Sequence, residues 1–238
     1  MDPITHYDPR DYPPFAVAVD IAVFTLRNGT MNVLMIERGD PVAAGMTAFP
    51  GGFILPDEDA DQAAHRELQE ETGIGSAIPI HLEQLRTYSA PDRDPRMRVV
   101  SIAYLALAPD LPDPIAGTDA RQARWLPVGE AQAKELAFDH NRILGDALER
   151  VRARLEYTTL ATTLLPRVFS IGQLREVYQA VWDQSIEPQN FRRKVLSVPG
   201  FIEPTGELRR GVPGPRAQLY RPGPATDIAP PFRREPPQ

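Results

Sequence analysis

The chain has 238 residues, of which 42% are hydrophobic and 24% charged, values typical of a globular protein with room for two small domains. It contains no cysteine, which excludes disulfide scaffolds, thiolate metal sites and cysteine nucleophiles. No basic-then-apolar leader opens the sequence, and the best apolar run, residues 15–26, is broken by Asp20. We therefore expect neither a signal peptide nor a membrane span, and predict a cytoplasmic protein.

The formal net charge of −6 is an average over two halves of opposite sign. Residues 1–150 carry 13 Lys and Arg against 24 Asp and Glu, a net −11, whereas residues 151–238 carry 13 against 8, a net +5. An acidic front and a basic back are typical of a catalytic or sensor domain joined to a domain that binds a polyanion. The alternative is a drift of surface charge without functional meaning.

The front half, residues 1–150, predicts a mixed α/β domain. Apolar, β-rich runs predict strands at 15–26, 31–37, 78–88, 98–108 and 124–126. Asn28-Gly29 between the first two is a tight hairpin signal. A helix is expected over 60–72, ended by Gly73, and a longer one from 139 to about 164 bridges to the second half.

The back half, with the linker helix, occupies residues 151–221 and has the outline of a winged helix-turn-helix. Ser170 and Gln173 match a capping box, after which one apolar stripe predicts a helix. A second helix is expected over 188–197. Two extended segments would form the wing, at 200–203 and 218–221. Residues 222–238 hold six prolines in 17 positions, which predicts a disordered tail.

A cluster of carboxylates lies on the predicted helix of the front half. Glu67, Glu70 and Glu71 stand at i, i+3 and i+4, so their side chains share one face. Like charges this close repel and should raise one another's pKa unless a cation intervenes, and hard oxygen ligands suit Mg²⁺ or Mn²⁺. For an isolated pair of glutamates, a solvated helix face is the alternative.

The surrounding register makes this cluster specific. It runs Gly52, five residues, Glu58, seven residues, then Arg66-Glu67-Leu68, one residue, Glu70-Glu71, one residue and Gly73-Ile74. This resembles the Nudix box at every defined position, and with the flanking strands the resemblance covers residues 14–136. It implies an α/β/α sandwich and metal-assisted hydrolysis of a nucleoside diphosphate linked to another group.

The resemblance to the Nudix family also implies residue roles. Glu67, Glu70 and Glu71 would hold the divalent cation, which lowers the pKa of an attacking water. Arg66 would orient the cluster and Glu58 would be a supporting acid. Gly52 is assigned to the ligand site. The general base is left open, because either a box glutamate or a carboxylate on another loop would serve.

A second motif bears on the substrate. Arg93 and Arg96, within Asp-Arg-Asp-Pro-Arg at 92–96, lie between two predicted strands and could clamp a diphosphate with forked hydrogen bonds. The segment resembles the Arg-Asp-Pro-Arg element of Nudix proteins that handle ADP-ribose. A turn whose arginines merely cap strands is the alternative. The four histidines are expected to be structural or surface residues: His6, His65, His81 and His140.

The second helix of the back half carries the candidate DNA contacts. These are polar or basic residues near its start: Gln189, Asn190, Arg192, Arg193 and Lys194. Asn and Gln can read adenine, Arg can read guanine, and the start of a recognition helix meets base edges in the major groove. Phe191 and Val195 are expected in the core, and Arg209, Arg210 and Arg216 of the wing at phosphates. Dimerisation or protein docking is the alternative role.

The domain order, together with Asn-Phe-Arg-Arg-Lys at 190–194, resembles the Nudix-related transcriptional regulators of NAD metabolism (the NrtR family). The resemblance implies a homodimeric repressor that binds an operator in double-stranded DNA and releases it when its Nudix domain binds ADP-ribose. Because the box is complete, we expect Mg²⁺-dependent hydrolysis to be retained. The competing hypothesis is an ADP-ribose pyrophosphohydrolase whose winged helix serves dimerisation only.

Overall fold

The computed structural model describes residues 8–73, 80–109, 111–114, 120–208 and 217–234. The front half has seven strands: β1 (Ala16–Arg27), β2 (Thr30–Arg38), β3 (Thr47–Ala48), β4 (Gly51–Phe53), β5 (His81–Tyr88), β6 (Val99–Leu107) and β7 (Ala120–Pro127). Its helices are α1 (Ala60–Thr72), α2 (Val128–Gln132) and α3 (His140–Tyr157). The predicted strands and the helix over 60–72 are thus present, although residues 78 and 79 lie outside the described part of the chain.

One mixed sheet forms the centre of the front half. Its order is β3-β2-β1-β6-β5, with β4 paired to β1 and β7 paired to β2. The β1–β2 hairpin turns at Asn28 and Gly29, whose φ angles of 52° and 74° are those of a type I′ turn. β1 and β6 run parallel, so both strands start at the same end of the sheet.

Helices cover both faces of this sheet. Ala63, Ala64 and Leu68 of α1 are buried in one cluster with Val19 and Tyr104 of the sheet. On the other face, the apolar side of α3 is buried with residues of β1, β2 and β6 in a second cluster. The predicted α/β/α sandwich is confirmed. Among the described residues no helix is long and apolar enough to cross a membrane.

The linker helix α3 is shorter than expected. It ends at Tyr157, and a 3₁₀ helix, Thr159–Leu164, follows it instead of a continuation to residue 164. Between them Thr158 adopts an extended conformation, and its hydroxyl donates to the carbonyl of Arg154. The predicted boundary after residue 150 falls inside α3, so the same helix belongs to the core of one half and leads into the other.

The back half folds as a winged helix. Its elements are β8 (Phe169–Ser170), α4 (Ile171–Trp182), α5 (Pro188–Ser197), β9 (Ile202–Leu208) and β10 (Gln218–Pro222). Ser170 and Gln173 form the predicted capping box at the start of α4. Tyr178 of α4 meets Phe191 of α5 edge-on, with ring centroids 5.2 Å apart. The strands form a small sheet in the order β8-β10-β9, in which β8 was not expected.

The prediction of a disordered tail is wrong for residues 222–234, while 235–238 lie outside the described residues. Phe232 is 1% exposed and joins an aromatic cluster with Tyr178, Phe191 and Phe201. The amides of Ile228 and Phe232 donate to carbonyls at the end of α3. The prolines exclude regular secondary structure, but apolar side chains between them supply enough burial to hold an extended segment in place.

Candidate ligand cleft and DNA interface

A cavity of about 770 Å³ opens beside β4, α1 and the start of α3, a volume within the range of small-molecule sites. Acidic and basic side chains line it in nearly equal number. They are Asp20, Asp40, Glu67, Glu71 and Asp94 among the acids, and Arg38, Arg66, Arg93 and Arg96 among the bases. Most of the residues predicted from the box and both arginines of the Asp-Arg-Asp-Pro-Arg motif therefore line one cleft, while Glu58 and Glu70 lie outside its lining.

Arg66 binds carboxylates of α1 and of the loop that precedes it. Its guanidinium binds both oxygens of Glu58, at 2.5 and 2.9 Å, and the carboxylates of Glu67 at 2.7 Å and Glu70 at 3.1 Å. Hydrogen bonds from Arg66 lower the pKa of Glu58 to about 2. In this arrangement Arg66 provides the positive charge that keeps three carboxylates together.

Glu71 lies deeper and interacts differently. Its Oε2 accepts the Gly51 amide at 2.7 Å. Burial, together with the charges of Glu67 and Asp20, raises its pKa to about 8, even though the Gly51 amide acts in the opposite direction. Burial also raises the pKa of Glu67. Burial therefore opposes the ionisation of both carboxyl groups, and a bound cation would favour their ionised forms.

The predicted metal ligands have suitable chemistry but are not grouped as ligands. Among the described residues, no three acidic, histidine or cysteine side chains are placed to hold one ion, since Arg66 binds Glu67 and Glu70 while Glu71 turns to the Gly51 amide. A Cβ on Gly52 would overlap the Glu67 carboxylate, so any other residue here would make that carboxylate move from its present position. The oxygen donors match a hard divalent cation, and Nudix hydrolases generally use divalent metals.

Arg93 is more enclosed than a phosphate clamp was expected to be. Its side chain is 4% exposed, and its guanidinium binds Asp139 at 2.8 and 3.2 Å and Asp20 at 3.2 Å. Arg93 lines the cleft, yet its Nε and Nη2 are already engaged by two carboxylates. In this structure it joins two parts of the fold, a role that the motif alone did not indicate.

Arg96 is the more accessible arginine of the pair. It is paired with Asp94 at 2.8 Å and Asp40 at 3.0 Å, and its side chain is 31% exposed. Its guanidinium lies 5.4 Å from the ring centroid of Phe53 and 5.9 Å from that of Phe138. Arg96 is thus held at the cleft wall between aromatic rings with part of its surface open.

Sequence reasoning missed three residues at the cleft. Asp20 and Asp139 bind Arg93, and His140 lies against Asp20. His140 Nδ1 accepts the Phe49 amide at 3.0 Å, and its Nε2 lies 3.3 Å from Asp20 Oδ1, within ion-pair distance but outside hydrogen-bond geometry. Burial opposes the ionisation of Asp20. However, His140, the Ser101 hydroxyl that donates to Asp20, and Arg93 together hold the pKa of Asp20 well below its usual range. An acid inside an apolar strand was the available signal.

The predicted recognition helix α5 presents its polar residues to solvent. Glu187 caps it by accepting the amides of two residues, and the side chains of Gln189, Asn190, Arg192 and Arg193 are exposed. Arg193 donates to Asn190 Oδ1 at 2.8 Å. Lys194 differs, because its ammonium packs 4.7 Å from the Phe232 ring centroid. The wing residues Arg209, Arg210 and Arg216 lie outside the described residues.

The fold and the cleft define a Nudix domain followed by a winged helix. The family model of the NUDIX domain matches residues 15–146, and that of the NrtR DNA-binding winged helix domain matches residues 161–221. The first range contains the whole cleft, and the second contains α4, α5 and the wing. The chain is therefore a Nudix protein that carries a DNA-binding domain.

Individual relatives narrow this class. The chain is 32% identical over 221 residues to the ADPR-responsive transcriptional repressor NtrR of Acinetobacter baylyi, covering 92% of this chain and 86% of the relative. The structure of Shewanella oneidensis NrtR complexed with a 27mer DNA is similar, with a TM-score of 0.76 and 26% identity over 91% of this chain and 99% of that one.

The cleft domain has a relative of its own. The NUDIX domain of Shewanella oneidensis NrtR complexed with ADP-ribose has a TM-score of 0.56 and 31% identity, covering 61% of this chain and 94% of that one. The two domain matches, together with the Acinetobacter baylyi relative that covers 92% of this chain, show which family the chain belongs to. The chain belongs to the NrtR family of Nudix-related proteins.

Proposed function

We propose that this chain is a transcriptional repressor that binds DNA through α5 and its wing and releases it when ADP-ribose occupies the cleft. The carrying observation is the row of exposed side chains on the first turns of α5, held on a winged helix that is continuous with the cleft domain through α3. The relatives named above support both ligands. A repressor acts beside DNA, so a cytoplasmic location follows from the proposal.

A binding experiment tests the repressor. A duplex would be selected by the wild-type protein from a random-sequence library, labelled, and titrated at moderate salt with and without ADP-ribose. We expect sequence-specific, salt-sensitive binding that ADP-ribose weakens. Failure to enrich any sequence, or a Kd equal to that for unrelated DNA, would remove this function and leave a protein whose winged helix serves assembly.

The proposal includes hydrolysis of the pyrophosphate bond, because the chain has every box carboxylate, two of them lining the cleft and two bound to Arg66 beside it. Glu67, Glu70 and Glu71 would hold Mg²⁺ (or Mn²⁺), and the bound ion would neutralise phosphate oxygens and acidify the attacking water. Arg66 would keep Glu58 ionised. The bound cation would replace Arg66 as the partner of Glu67 and Glu70. Arg96 would orient the diphosphate from the cleft wall.

Product analysis tests hydrolysis separately. ADP-ribose incubated with the protein and Mg²⁺ should release AMP, and EDTA should stop the release. A protein that binds ADP-ribose without releasing AMP would be a sensor only, which leaves the repressor proposal intact. The predicted homodimer is tested by light scattering of the purified chain. A monomer that binds the selected duplex specifically would contradict the prediction.

A further inference from the structure

The buried guanidinium of Arg93 lies between the cleft and the first residues of α3. It lines the cleft on one side and binds both oxygens of Asp139 on the other. Arg93 Nη2, which donates to Asp139 Oδ1, also donates to Asp20, another residue that lines the cleft. A single side chain therefore connects the ligand site with the helix that leads to the DNA-binding half.

The start of α3 is held in an unusual conformation. Asp139 occupies the N-cap position, where an aspartate normally accepts amides of the first turn, but here its carboxylate points to Arg93. Phe138 immediately before it has a φ of 55°, in the left-handed region that bulky residues rarely adopt. Tertiary contacts thus maintain a backbone arrangement at this junction that the local sequence disfavours.

The other end of α3 is joined to the winged helix. The carbonyl of Arg152 accepts the Trp182 indole at 3.2 Å, and that of Leu155 accepts the Tyr178 hydroxyl at 3.2 Å. Arg234 of the C-terminal segment binds Glu156 on α3 at 3.2 Å. The 18 residues of α3 span about 27 Å, so one helix connects the contact at Asp139 with the contacts to α4.

We propose that Asp139 is a positioning residue that couples the cleft to DNA binding through its contact with Arg93. The diphosphate of a ligand competes with the Asp139 carboxylate for the donors of Arg93. When Arg93 turns to the ligand, Asp139 is released to cap α3, and the start of the helix moves together with the winged helix attached to its end. This inference rests on the proposed function and names how its two sites communicate.

The test compares wild type with Asp139→Asn, using the selected duplex and ADP-ribose as probes. Asn keeps the shape of Asp and caps helices well, but it cannot hold Arg93 as an ion pair. The variant should therefore favour the released arrangement without ligand. We expect weaker DNA binding, tighter ADP-ribose binding and a smaller effect of either ligand on the other, each by about 2- to 30-fold.

Two further variants separate coupling from stability. Asp146→Asn alters an acid two turns along the same helix, which binds Tyr88 instead of Arg93, and should behave as wild type. Asp139→Glu keeps the negative charge, so this variant should retain part of the coupling between ADP-ribose binding and DNA binding. A purely structural role for Asp139 would weaken both ligands together, so tighter ADP-ribose binding with weaker DNA binding identifies the coupling.

Hydrogen exchange on the wild-type protein gives a measurement that does not depend on variant folding. Addition of ADP-ribose should change the protection of the amides at residues 141–143, the first turn of α3. Unchanged protection there, or a folded Asp139→Asn protein with wild-type affinities and coupling, overturns this inference. If ADP-ribose leaves DNA binding by the wild type unaltered, the proposed function itself is overturned.

Discussion

The cleft and the recognition helix use charge in opposite ways. In the cleft, Arg66 and Arg93 are largely enclosed and paired with carboxylates, so the geometry is set before any ligand arrives. On α5, Arg192 and Arg193 are exposed to water. Buried, paired charges define shape and are costly to disturb, whereas exposed charges lose little on folding and gain most from a polyanion. The two halves should therefore respond differently to substitution, salt and pH.

The largest expected effect concerns the aromatic core of the winged helix. Phe232→Ala removes the ring that fills the aromatic cluster of the winged helix, and should lower the free energy of unfolding by about 3–5 kcal/mol. Urea denaturation measured by fluorescence checks this. Phe15→Ala, which removes an exposed ring, is the matched control. Equal stability of the two variants would show that the buried Phe232 ring contributes no more to folding than an exposed ring.

The next effect separates catalysis in the cleft from its geometry. Glu70 has a side chain that is 57% exposed, so Glu70→Gln should fold normally. Loss of one cation ligand should reduce kcat for AMP release from ADP-ribose by roughly 10²- to 10³-fold. Glu130→Gln, on the exposed side of α2, should retain full activity. Equal rates for the two variants would contradict the assignment of Glu70 as a ligand of the ion.

A smaller effect is expected for the exposed arginines of α5. Arg193→Ala should weaken specific DNA binding by about 5- to 150-fold, because a contact to a base edge or phosphate is lost. The variant should also show a shallower dependence of Kd on salt if the contact is to phosphate. Arg10→Ala, in the cleft half, removes an arginine that is also exposed and should change neither quantity. Binding unchanged in both variants would exclude α5 as the interface.

The last effect is a pH slope that belongs to the cleft alone and is small over any single pH unit. The pKa of Glu71 is about 8 in the folded protein against 4.5 for an unperturbed glutamate. Between these values the unfolded chain is ionised while the folded one keeps its proton, so stability without metal should fall as pH rises from 4.5 to 8. The slope is at most about 1.4 kcal/mol per pH unit.

Thermal unfolding in EDTA across this pH range measures the slope, with Glu71→Gln as the comparison. The variant should show a flatter stability profile, since it has no proton to lose at this position. Parallel profiles for the two proteins would mean that Glu71 does not titrate with a raised pKa. Stability of the winged helix should be insensitive to Glu71, which again separates the two halves.

Local patterns in the sequence were sufficient for the elements and for the box. Alternating and helical periodicities identify strands and helices because each element must bury one face, and the capping signals at α1 and α4 are contacts within one helical turn. The box residues Glu58, Arg66 and Glu70 lie close together for the same reason, since a helix and its approach loop place them there. The winged helix was also accessible from its order of short elements.

Contacts between distant residues could not be predicted in this way. Arg93 binds Asp20 and Asp139, which lie 73 and 46 positions away, and no local spacing indicates that a motif arginine will be enclosed by them. The ordered segment at 222–234 was missed because its composition is that of a flexible tail, while its position depends on Phe232 finding a cluster built by other elements.

The amino-acid sequence by itself therefore determined the domain order, the carboxylate helix and the basic recognition helix, because each depends on residues within a few turns of one another. Only the tertiary structure decided which charges are buried and which are exposed. That decision depends on strand pairing and helix packing across the whole chain, and it sets whether an arginine holds the fold together or remains open to a ligand.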